Sequence, residues 1–141
     1  MAVCLCASAL ILVVGVNDMN RRDNAQILEN YGRILEAIPR SVPVVCSAIL
    51  PANEHLTSPP DESANARIRD FNASLRALCA SDSRCVYVDP TPRLVDGSGD
   101  LLPALQDGDG VHLNSDGNRI WIEELRAAVR EAQSIVSSVA P

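Results

Sequence analysis

Three short apolar runs punctuate the chain, and amphipathic stretches separate them. "SALILVV" (8–14) is continuous, partly β-branched and stopped by Gly15, as in a strand covered on both faces. "VPVVCSAIL" (42–50) repeats that character and closes at Pro51, and "RCVYVD" (84–89) ends at Pro90. Between the first two runs, Ile27, Leu28, Tyr31, Ile34, Leu35 and Ile38 fall on one helical stripe. Asp23 or Asn24 can cap its start, and Pro39 ends it. Ile68, Phe71, Leu75 and Leu78 mark a second amphipathic helix. After a long loop, Asn114 or Ser115 opens a last helix with Ile120, Trp121, Leu125, Val129 and Ala132 along one side.

Alternating buried strands and helices predict an α/β fold with right-handed crossovers onto a parallel sheet. Sites in such sheets form beyond the carboxyl ends of the strands. Three polar stretches fall there: "GVNDMN" (15–20), "PANEH" (51–55) and the loop carrying "DGDGVH" (107–112). Periodicity alone therefore gathers Asn17, Asp18, Asp109 and His112 on one rim.

Composition narrows the possibilities. At 141 residues the chain matches one ordinary domain, so residues 1–141 are expected to fold as a single unit. Aromatic residues make up only 3%, so the core must rest on Val, Leu, Ile and Ala. A net charge of −6 argues against nucleic acid or an anionic membrane as partner. The run at 2–14 lacks a charged segment before it and is too short to span a bilayer. It therefore reads as a strand with no signal peptide, which tilts the expected location toward the cytoplasm. Cys4, Cys6, Cys46, Cys79 and Cys85 show no zinc-ligand spacing. No metal is expected, a disulfide scaffold is not expected in a chain able to build its own core, and Cys46 reads as a small buried hydrophobe. No glycine-rich phosphate loop follows a strand, so a flavodoxin- or receiver-like phosphate-handling domain lacks support; no cofactor is expected.

The candidate chemistry lies near the end of the chain. Asp109 precedes His112 by three residues, an offset that lets a carboxylate accept from the ring Nδ1–H and leaves Nε2 free as a base. A plain turn can contain the same pair. Asn17, just past a strand end and Gly15, is either a turn residue or an amide aimed at a developing oxyanion. Asp18 reads as a partner for nearby backbone amides, and Asp107 as a turn cap or a weaker competitor to Asp109. His55 has no acidic partner at useful spacing beyond Glu54 and reads as surface.

These residues also carry a family resemblance. "LVVGVND" resembles the Gly-x-Asn-Asp block of the SGNH (GDSL-type) hydrolases, and "DGVHLNSDGNRIW" resembles their closing Asp-x-x-His block before a terminal helix. The resemblance spans nearly the whole chain. It implies a three-layer α/β/α, flavodoxin-like fold and a carboxylic-ester hydrolase that uses small-molecule esters. By it, His112 is a general base, Asp109 its orienting carboxylate, and Asn17, with Gly15, part of the oxyanion region. The family's Gly-Asp-Ser nucleophile block has no counterpart in this sequence. The chain then reads as the last three strand–helix units of such a domain, truncated at its N-terminus. Residues 8–14 become a bare sheet edge open to self-association. The rival reading is a non-catalytic remnant or binding domain of the same fold.

Overall fold

The computed structural model describes residues 8–57, 59 and 61–139; Cys4 and Cys6 lie outside them. Three strands, β1 (Leu10–Leu12), β2 (Val44–Ser47) and β3 (Cys85–Val88), form a parallel sheet in the order β1-β2-β3. Leu10 is paired with Val44, and Val44 with Cys85. All four residues of β2 are buried, as expected of a strand between two neighbours and two helical layers.

Helix α1 (Asn24–Ala37) starts with a capping box: Asp23 Oδ1 accepts from Gln26 N at 2.8 Å, and Gln26 Oε1 accepts from Asp23 N. Helix α2 (Ala64–Ala80) lies beside it on the same face of the sheet. Leu12, Val44 and Cys46 point toward these two helices and bury Ile27, Tyr31, Leu35, Ile68, Phe71 and Leu75. The Tyr31 and Phe71 rings meet at 5.9 Å. Helix α3 (Ser115–Val139) covers the opposite face, packing Ala128 and Ala132 on Val45, Val86 and Val88. Asn114 begins it, its Oδ1 accepting from Asp116 N and Gly117 N. The result is a three-layer α/β/α sandwich whose strands all point their carboxyl ends at one rim.

The structure corrects two expectations. Residues 8–14 do not form a strand covered on both faces: only Leu10–Leu12 pair, and Ile11, Val13 and Val14 stay 41%, 41% and 48% exposed. The cause is geometric, since α3 lies over β2 and β3 while the sheet ends at β1. A shallow groove between Ile11 and the α3 residues Ile122, Leu125 and Val129 is left open. Second, Cys79 and Cys85 form a disulfide across the turn joining α2 to β3. Cys46 is free and buried, and the three sulfurs lie within 4.8 Å of one another. Chain spacing hides that convergence, because each sulfur comes from a different element.

Candidate active site

The loop before α3 is shaped by its own backbone. Gln106 bridges to Leu113, and Asp107 N donates to His112 O at 2.8 Å, closing residues 107–112 into a tight hairpin. Gly108 and Gly110 take positive φ of 100° and 78° within it. Gln106 Oε1 accepts from both of their amides, at 2.6 and 3.0 Å. Asn53 N donates to Gly110 O at 2.7 Å, so the loop after β2 and the loop before α3 are pinned together. At Gly110 a Cβ would come within 2.8 Å of Asn53 O, so glycine is required by contact as well as by φ.

On this loop Asp109 and His112 meet. His112 Nδ1 lies 2.6 Å from Asp109 Oδ2, and Asp109 Oδ1 accepts from Val111 N and His112 N at 2.8 Å each. With those bonds and the imidazole beside it, Asp109 is held well below the usual carboxylate range. The hydrogen bond that the ring donates to that carboxylate, followed by the carboxylate's charge, raises the His112 pKa above its ordinary value. Asp107 adds a smaller push in the same direction. The His112 ring is 78% exposed, and among the described residues its Nε2 has no protein partner. The arrangement suits an imidazole that takes a proton at Nε2 while Asp109 stabilises the resulting charge.

Asn17 lies past the end of β1, where it begins a single 3-10 turn (Asp18–Asn20). Its exposed side chain makes no capping hydrogen bond. Gly15, at φ 116°, is buried against Ile27 and Ile49, and its carbonyl accepts from Asp18 N and Met19 N. Tyr31 Oη donates to Val14 O at 2.6 Å, fixing the chain just before it. Asp18 pairs with the Arg22 side chain at 3.4 Å. Asn17 and the Asp109–His112 pair occupy the same rim, with no hydrogen bond joining them among the described residues.

Several contributors are invisible in the local sequence. Arg67 of α2 donates to Met19 O and Arg22 O and to Asn24 Oδ1, holding the middle and the far side of the turn that follows Asn17. His55, read as a surface residue, is exposed, and its Nε2 lies 3.7 Å from Asp100 Oδ2. Asp100 is itself buried and bonded to Asn65 Nδ2. Glu54, the neighbour considered for His55, instead accepts from Asn65 N at the start of α2. Gln106, which supports the 107–112 loop, did carry a local signal, standing two residues before the first of two glycines that need support.

Comparison with known proteins agrees with this architecture. A protein designated a platelet activating factor from Streptococcus pneumonia aligns at TM-score 0.78 and 22% identity, over 86% of this chain and 59% of its own. A GDSL-like lipase from Bacteroides thetaiotaomicron aligns at 0.75 and 22%, over 89% and 63%. A carbohydrate esterase family 3 structure from Talaromyces cellulolyticus aligns at 0.67 and 18%, over 93% and 60%. This chain thus spans about 60% of the length of each. No curated protein matches it. The GDSL-like Lipase/Acylhydrolase family profile matches residues 5–120, covering the strand before Gly-x-Asn-Asp, both crossovers and the Asp-x-x-His loop. The chain belongs to the GDSL-like lipase/acylhydrolase family.

Proposed function

We propose that residues 1–141 act as one SGNH-type unit supplying the base side of a carboxylic-ester hydrolase. The carrying observation is the 2.6 Å Asp109–His112 contact, with Nε2 open to solvent. In this reading His112 Nε2 removes the proton from a serine hydroxyl as its oxygen attacks the ester carbonyl. It then returns that proton to the departing alcohol, and water completes the second half in the same way. Asn17 donates its amide to the carbonyl oxygen as charge develops there, next to the backbone bend at Gly15. The serine comes from a Gly-Asp-Ser block outside these residues, since none occurs within them. The substrate is a small-molecule ester, and no cofactor takes part.

Two experiments test this reading. A fluorophosphonate probe should label no serine of the chain by itself. Fusing an upstream segment of two strand–helix units with Gly-Asp-Ser should create esterase activity, which His112→Ala lowers by ~10³-fold or more. Asn17→Ala should also lower it, by an amount equivalent to about 3 kcal/mol of transition-state stabilisation. A fusion whose activity ignores His112 would show the base to be misplaced. A fusion that folds but stays inactive would favour a non-catalytic binding role.

A further inference from the structure

All twelve basic residues of this acidic chain are arginines, and the fold commits most of them. Arg22, Arg33, Arg40, Arg84, Arg93 and Arg119 have carboxylate partners, and Arg67 serves backbone carbonyls. Arg69 and Arg76 have neither among the described residues. Seven positions apart on α2, they share one face of that helix. Both line a cavity of about 360 Å³ at the outer edge of β3, away from the His112 loop.

The remaining polar groups there divide into spent and spare. Asn65 bonds Ala52 N, Ala52 O and Asp100, and Asn72 bonds Ile49 N and Ile49 O, so these amides are fixed walls. Tyr87 Oη and Thr91 Oγ1 have no hydrogen-bond partner among the described residues. Burial, then the Asp89 carboxylate, pushes the Tyr87 phenol up to about 12, so it remains an O–H donor. The Arg76 guanidinium lies 5.9 Å from the centroid of the Tyr87 ring, within cation–π range. The spare acceptor is the exposed Asp89 carboxylate, one oxygen of which already takes Thr91 N. Two uncompensated cations and two free hydroxyls thus face a single carboxylate.

We infer that this cavity binds a small organic anion, with its carboxylate or phosphate on the Arg69 and Arg76 guanidinium groups. Its apolar body would rest on Pro51, Ile68 and Val95. Guanidinium forks suit both anion types, and a few convergent polar groups over apolar walls is how small-ligand sites are built. The volume is near the lower end for such sites, which fits a single ring. Asp89 disfavours a second negative charge beside it. The inference stands apart from the hydrolase reading, because no residue of the 107–112 loop lines the cavity.

Saturation-transfer NMR on the whole chain tests it, with benzoate, phenyl phosphate and uncharged benzamide as probes. At least one anion should bind saturably, and which one it is identifies the group recognised; benzamide should bind at least tenfold more weakly. The double variant Arg69→Gln, Arg76→Gln should weaken the anion about tenfold or more, the loss of roughly one charge-assisted hydrogen bond. Asp89→Asn should tighten it, whereas Arg126→Gln, Arg130→Gln on α3 should change nothing. Equal binding of benzamide, no saturable binding of either anion, or equal losses in the two arginine pairs would overturn the inference.

Discussion

The Asp109 carboxylate ties His112 down twice, once through its ring and once through its backbone amide. A proton on the imidazole is therefore favoured, and the His112 pKa lies above its ordinary value. In an NMR pH titration the His112 Cε1–H signal should move with a midpoint above about 6.5, and Asp109→Asn should bring that midpoint down. A base must be neutral to accept a proton. The kcat/KM of the completed enzyme should consequently rise with pH through the raised His112 value, and Asp109→Asn should shift that limb to lower pH while reducing its height. Identical titration midpoints in the two proteins would mean that the contact is not held in solution. This pair was legible in the sequence because its three-residue offset places both groups on one turn. The His55–Asp100 contact was not, because its partners come from separate loops that only the packed sheet brings together.

At the level of elements, the existence of every strand and long helix could be read from periodicity, and their limits could not. Buried apolar runs announce a strand, but how many residues pair depends on what lies alongside, and among the described residues β1 has a neighbour on one side only. The end of α1 shows the same dependence. Pro39 marks it in sequence, yet its last carbonyls are satisfied from β3's approach. The buried Arg84 donates to Leu35 O, Ile38 O and Pro39 O at 2.5–2.8 Å, and pairs with Asp82. Arg84→Met would leave those carbonyls without their donor and Asp82 with only Arg40 and a backbone amide, and should cost about 3 kcal/mol in denaturant unfolding. A loss below ~1 kcal/mol would mean that water replaces the guanidinium. The Cys79–Cys85 bridge was missed because cysteine spacing within six residues carries no pairing signal until a helix end and a strand start are set side by side.

On the scale of the molecule, the open side of β1 joins exposed Ile11, Val13 and Val14 to the apolar groove along α3. An unprotected edge of this kind invites pairing with another chain. The isolated chain is expected to self-associate through it, and Ile11→Lys should shift sedimentation profiles toward monomer without unfolding the protein. Unchanged association would move the contact elsewhere. The parallel sheet has a kinetic consequence as well. No two strands are joined by a hairpin: Leu10 must find Val44, and Val44 must find Cys85, each across a whole helix. The helices can form from local contacts within about a microsecond, whereas each strand pair first requires closure of a long loop. Assembly should therefore run from helices to sheet, with β2 waiting on both of its neighbours and, among the described residues, nothing pairing the outer edge of β1.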